Sequence, residues 1–232
     1  MRFQDAARDG RAVVYAAIQA DPLVARAADM LADAEPAMRV MARAVMNGES
    51  TDRATWTAMF PTLFGPTAGA PPRERAEALL DVALEVAGRG EAVRSQFRGA
   101  IVESLTERLL RAGHPGRPPA AIRRERRILF DGVPAEIHPY DVTVEIDGAA
   151  AAVDCKWGAR GISADVLHQL DDARRHAADD DERLATFLVV FDAARSCAVR
   201  LDRQTAPHDE TRIVAIEQLD DLAAGSRAGA AP

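Results

Sequence analysis

Lysine is almost absent from this sequence: of 29 basic residues in 232, only Lys156 is a lysine and the rest are arginines. Arginine supplies charge and solubility at most positions, but its guanidinium is spread out and always protonated. An ammonium is compact, and its pKa responds to its surroundings. A single retained lysine therefore points to a chemical requirement at position 156, set against the plainer reading that one lysine escaped replacement by chance. Cysteine is scarce too. Cys155 and Cys197 lie far apart and form no C-x-x-C pair, which excludes a disulfide framework or structural zinc and predicts two buried thiols. Long apolar runs are missing. The densest, Ala12 to Ile18 and Phe187 to Phe191, fall well short of a membrane span. Met1-Arg2-Phe3-Gln4-Asp5 carries an early acid and no sustained apolar run, unlike a secretory signal, so a cytoplasmic protein with no membrane partner is expected. Aromatics make up only 5% of the chain, whereas 48% is hydrophobic, largely alanine, and 28% is charged, the balance of a soluble globular protein.

Positive charge is in deficit as well. A net charge of -7 opposes sequence-independent binding to polyphosphate, so any nucleic-acid role needs a local basic face. The candidate is Arg123-Arg124-Glu125-Arg126-Arg127, with Arg111 and Arg117 before it and Arg174-Arg175 after it. A solvated strand edge is the competing reading.

Apolar residues recur at helical spacing from Ala6 to about Met46, and Pro22 and Pro36 suit first-turn positions that divide this stretch into short helices. Asn47 to Thr51 reads as a loop, with Ser50 or Thr51 capping a helix around Trp56. Phe60 to Pro72, with four prolines and two glycines, reads as a linker or long loop. Helices are predicted from Pro71 to near Gly88 or Gly90 and from Glu91 to about Ala112. Beyond His114 to Pro119 the period changes to two. Strands are predicted at Ile128 to Phe130, Tyr140 to Ile146, Ala150 to Trp157, Leu184 to Phe191 and Ala198 to Leu201. A helix from Ser163 to Ala178 separates the third strand from the fourth, and a last helical turn lies near Glu217 to Leu222. This order indicates an α/β layer with a mixed central sheet flanked by helices. The predicted domains are a helical one at residues 1–90 and an α/β one at 91–222, followed by a disordered tail at 223–232.

Between Asp141 and Lys156 the dipeptide Asp147-Gly148 suits the two-residue turn of a β-hairpin. Pairing counted outward from that turn sets Asp141 opposite Asp154, on one face with Lys156. Val142, Val144 and Ile146 then share the other, core-facing side with Val153, Cys155 and Trp157. Two directly opposed carboxylates, with Cβ atoms about 5 Å apart, repel one another, so a purely structural sheet disfavours the pair. A bound cation reverses the sign. Mg2+ takes one or two carboxylates, keeps several waters and accepts phosphate oxygens. Lys156 could orient or help deprotonate an attacking water, or offset charge developing on phosphorus.

Pro139-Tyr140-Asp141 followed by Asp154-Cys155-Lys156 resembles the paired motif of the PD-(D/E)xK, restriction-endonuclease-like nucleases, over about Glu91 to Leu222. The chain departs from the usual pattern in that Tyr140 separates the proline from the first aspartate. The resemblance implies a restriction-endonuclease-like core and a metal site of Asp141, Asp154 and the Cys155 backbone carbonyl. Lys156 would complete the site. Glu103 matches the family's glutamate on the preceding helix, with Glu107 one turn later as the alternative and solvated helix carboxylates as the bland reading. Gln169 matches a glutamine that some branches place on the following helix. The function so implied is a Mg2+-dependent endonuclease, with Mn2+ an alternative ion, cutting DNA in preference to RNA in restriction, anti-phage defence or DNA repair. The N-terminal helices would serve recognition, regulation, oligomerisation or docking to a protein partner. The competing expectations are a non-catalytic subunit that keeps the nuclease fold as a scaffold, and a small α/β domain whose hairpin charges are merely exposed.

The five histidines show no paired metal spacing, no Walker A, G-x-S-x-G or G-x-G-x-x-G motif occurs, and Asp179-Asp180-Asp181-Glu182 reads as a solvated connection.

Overall fold

Proline starts helices in this chain, because its fixed φ suits the first turn and its missing N–H would find no partner there. Pro22 begins α2 (Pro22–Ala32) and Pro36 begins α3 (Pro36–Asn47). The same rule overturns one expectation. Most of the proline-rich stretch 60–72 is helical, because Pro61 opens α5 (Pro61–Phe64) and Pro71-Pro72 lie in the first turn of α6 (Ala70–Ala87). The helix around Trp56, α4 (Arg53–Met59), is capped by Asp52 rather than Ser50 or Thr51, and the Asp52 carboxylate accepts from the Ala54 and Thr55 amides at 3.2 and 3.0 Å.

The computed structural model describes residues 1–6, 10–134, 138–206, 208 and 210–224; most of the expected tail, residues 225–232, lies outside them. The chain divides into two compact units, residues 10–105 and residues 1–9 with 106–232. The first holds α1 (Gly10–Gln19) through α6 and the beginning of α7 (Glu91–Gly113). Its core is built where α2 and α3 lie on α6, with Val24, Leu31, Met41, Val45, Leu80 and Val86 all buried. At the end of α2 the fully buried Arg39 donates Nε to the Leu31 carbonyl at 3.0 Å and Nη2 to the Ala32 carbonyl at 3.1 Å, two acceptors that the helix itself cannot satisfy.

The second unit is α/β with a mixed seven-stranded sheet. The strands are β1 (Arg2–Asp5), β2 (Ile122–Phe130), β3 (Val133–Pro134), β4 (Tyr140–Ile146), β5 (Ala149–Lys156), β6 (Leu184–Val190) and β7 (Thr211–Val214). They run in the order β1-β2-β4-β5-β6-β7, with β3 hairpinned onto β2. The pairings from β1 to β5 are antiparallel, whereas β5-β6 and β6-β7 are parallel. Parallel neighbours need a crossover, and α8 (Ala164–Asp179) supplies the first of them, with Ser163 capping its start. β6 is apolar at almost every position because both of its faces are covered, as a central strand requires. Leu167, Leu170, Ala173 and Ala177 of α8 pack into the core with Ile128, Ala152, Leu188 and Val190.

Two strand assignments differ from expectation. The segment 198–201 belongs to α9 (Ala194–Leu201), a helix that buries only Cys197; four residues of mixed polarity cannot distinguish the two periods. The strand in that part of the chain is β7 instead. β1, for which no strand was expected, pairs with β2. The arginine run therefore lies on an inner strand rather than a sheet edge, and much of its charge is matched: Arg123 and Arg126 pair with Asp5, Arg126 also with Glu145, and Arg124 with Glu107. Arg111, Arg117, Arg174 and Arg175 likewise sit on Glu107, Asp147 and Asp171. Both cysteines are buried thiols. The last helical turn, α10 (Asp220–Ala223), lies close to where it was expected. No described helix is long and apolar enough to cross a membrane.

Candidate active site at the end of the β4–β5 hairpin

The hairpin turns as its sequence requires. Asp147 and Gly148 have φ of 50° and 79°, the pair of positive values of a type I′ turn, which Asp and Gly tolerate at low cost. The register follows: Ile146 pairs with Ala149, Val144 with Ala151 and Val142 with Val153. One step further sets Asp141 opposite Asp154. There the ladder ends, and the Cys155 N–H is taken by the Asp141 side chain, whose Oδ2 accepts it at 2.6 Å. Both faces of the hairpin are covered. Val142 and Val153 are fully buried as expected, but so are Thr143 and Ala152 on the face of the acids. Asp154 and Lys156 thus emerge at the end of a covered face, where the small Ala152 leaves room for α8.

The Lys156 ammonium lies 2.8 Å from Asp154 Oδ2, with its side chain 27% exposed and that of Asp154 10%. Desolvation pulls its pKa down, but the charges of Asp154 and Asp141 and the Asp154 hydrogen bond outweigh it, holding the pKa above the ordinary lysine value of 10.5. At neutral pH the group is a cation, suited to orienting an anion and stabilising charge rather than accepting a proton. Because the folded value is raised, the stability contributed is present in full below 10.5 and is lost as pH rises through the folded-state value. In the metal-free protein, urea midpoints should fall on this alkaline limb, and Lys156→Met should flatten it; parallel limbs for the two proteins would count against the ion pair.

Two further elements fix the lysine. The turn Ala159–Gly161 lies against its stem so closely that a Cβ on Gly161 would come within 2.9 Å of Cβ, Cγ and Cδ of Lys156. Asp192, just after β6, is 8% exposed and accepts from the Ala159 N–H at 3.0 Å and the Ala193 N–H at 2.8 Å, tying that turn to the start of α9. Sequence reasoning missed both residues. An acid directly after an apolar strand was the available signal for Asp192, whereas nothing local distinguishes Gly161. Gly161→Ala should push the ammonium off Asp154. The alkaline limb of urea midpoints should then flatten as in Lys156→Met, and an unchanged limb would show that the stem need not be held.

The remaining candidates are placed as follows. Glu103, 7% exposed, belongs to the unit 10–105, where it accepts from the Tyr15 hydroxyl at 2.5 Å and Gln19 Nε2 at 2.8 Å. Glu107 bridges Arg111 at 2.8 Å and Arg124 at 2.9 Å. The Gln169 side-chain amide donates to the His138 carbonyl at 3.3 Å, and the Gln169 backbone carbonyl accepts from the Tyr140 hydroxyl at 3.2 Å, which fastens α8 to the start of β4. The Cys155 thiol faces away from the acids, donating to Thr106 Oγ1 at 3.5 Å. Among the described residues no group of three or more His, Cys, Asp or Glu side chains is gathered for a metal ion. The donor set at the hairpin is two carboxylates and a backbone carbonyl. This fits Mg2+, which keeps waters and takes phosphate oxygens in its other positions, and does not fit zinc. No protein-family profile, curated protein or solved structure matches this chain.

Proposed function

We propose that this protein is a Mg2+-dependent nuclease that hydrolyses phosphodiester bonds in DNA, serving restriction, anti-phage defence or DNA repair. The observation that carries the reading is the meeting of Asp141 and Asp154 at the open end of one hairpin with the chain's single lysine 2.8 Å from Asp154. Asp141, Asp154 and the Cys155 carbonyl would hold the ion, with Gln169 a further positioning residue. The bound ion would lower the pKa of a water and neutralise phosphate charge. Lys156, in its ammonium form, would orient a non-bridging phosphate oxygen and stabilise the negative charge that grows there during attack. Asp154 fixes the ammonium, and the Asp141 bond to the Cys155 amide fixes the carboxylates relative to the strand end.

The resemblance to a restriction-endonuclease-like core gains support from topology: α7, an antiparallel β2-β4-β5 set, then α8 and the parallel β6. Position agrees as well, since ligand chemistry in open α/β sheets gathers at the carboxyl ends of parallel strands and Lys156 ends β5. The test is cleavage of supercoiled, linear and single-stranded DNA and of RNA with Mg2+ or Mn2+, alongside calorimetry of metal binding. Metal-dependent cutting is the expected result. No cutting and no metal binding would overturn the reading in favour of a scaffold that keeps the fold without the chemistry.

A further inference from the structure

Arg160, Arg195, Arg200 and Arg203 converge on a groove of about 440 Å3 between the Ala159–Gly161 turn and α9, with Ser196 and Val199 in its wall. Many arginines of this acidic chain are matched with carboxylates, as at Arg111, Arg117, Arg123, Arg124, Arg126 and Arg175. The groove departs from that habit. Among the described residues none of its four arginines is paired with a carboxylate; Arg200 donates Nε to the Ile162 carbonyl at 2.9 Å. The acids close by are engaged or turned aside. Asp192 accepts from the Ala159 and Ala193 amides, Glu217 accepts from the Ala194 amide at 3.0 Å, and the exposed Asp202 makes no ion pair with the groove.

Four guanidiniums lining one groove with no carboxylate in contact repel one another, modestly at these largely exposed positions, and a polyanion would relieve that repulsion. Guanidinium forks match phosphate oxygens, and Val199, 47% exposed between them, offers an apolar contact for a sugar or base. The groove also adjoins the candidate site, because the turn forming its rim presses Gly161 against the Lys156 stem. We propose that this groove binds the phosphodiester backbone of nucleic acid and presents it to Lys156. The inference rests on the nuclease reading for its substrate and supplies the local basic face that the net charge of -7 otherwise withholds.

The test is fluorescence anisotropy with fluorescein-labelled DNA duplex, single-stranded DNA and RNA of one sequence, in EDTA so that no cutting occurs, across a salt series. Wild type should bind at least one of the three. The triple variant Arg160→Ala, Arg195→Ala, Arg203→Ala should bind it at least about tenfold more weakly at ~0.1 M salt, with the log–log salt slope reduced by roughly 2 to 3, as expected for three lost phosphate contacts. The corresponding triple lysine variant should retain most of the affinity, which separates lost charge from misfolding. Unchanged affinity and slope in the alanine variant, or no binding by wild type to any of the three, would overturn the proposal. Binding through the groove by a wild-type protein that cuts nothing would uphold the groove and remove the nuclease reading.

Discussion

Asp154→Asn and Lys156→Ala are each expected to lower the rate of metal-dependent DNA cutting by about 10³-fold, near the upper end of what one preorganised charge contributes. The two losses should differ in kind. Asparagine keeps the shape of Asp154 but removes the charge that would hold the ion and that positions the ammonium 2.8 Å away, so metal affinity by calorimetry should fall with the rate. Alanine at 156 leaves both carboxylates in place, so the metal should bind as well or better, because the competing cation has gone, and only the rate should fall. Titrating Mg2+ against initial rate distinguishes them: more metal should recover part of the activity of Asp154→Asn and none of that of Lys156→Ala. Wild-type rates in either variant would move the chemistry away from the hairpin.

Arg39→Leu is expected to lower the unfolding free energy of the unit 10–105 by about 1 to 3 kcal/mol. Arg39 is 1% exposed and serves the Leu31 and Ala32 carbonyls at 3.0 and 3.1 Å. Leucine fills much of the volume but donates nothing; the Leu31 carbonyl keeps the Ala34 N–H at 3.3 Å, so the main loss is the donor to the half-buried Ala32 carbonyl, at a cost of about 1 to 3 kcal/mol, partly offset because a buried charge no longer has to be desolvated. The two tryptophans fall one in each unit, Trp56 in 10–105 and Trp157 in the other. In a Trp157→Phe background, urea unfolding followed by fluorescence therefore reports Trp56 alone, which is 7% exposed. A midpoint equal to that of the parent would show that the Ala32 carbonyl finds another donor.

How much could be read in advance depended on how local the determining physics was. The turn at Asp147-Gly148 and the helix starts at Pro22 and Pro36 follow from dihedral limits on single residues, and they appear where expected. With the turn given, strand alternation alone sets Asp141 against Asp154 and Lys156 on their face. Prolines in 60–72 misled because proline serves both loops and first turns, and only packing of α5 against α6 selects the helix. β1 was invisible because four residues carry no clear period; their strand exists through pairing with β2, far along the chain. The arginine run reads as a surface feature in sequence, but β4 pairs along it, β1 covers it from Arg126 onward, and Asp5, Glu107 and Glu145 match the charge of Arg123, Arg124 and Arg126.

By itself, then, the sequence determined the α/β class, most of the helices, the hairpin and its register, and the company of two acids and one lysine, all consequences of backbone periodicity and turn stereochemistry within a few residues. Only the tertiary structure decided what surrounds that company. Asp192 after β6 holds the Ala159 amide, Gly161 closes on the Lys156 stem, and α9 brings Arg195, Arg200 and Arg203 to Arg160. Those residues meet because parallel pairing of β5 with β6 lines up the ends of two strands separated by a helix, and no local pattern encodes which ends will adjoin.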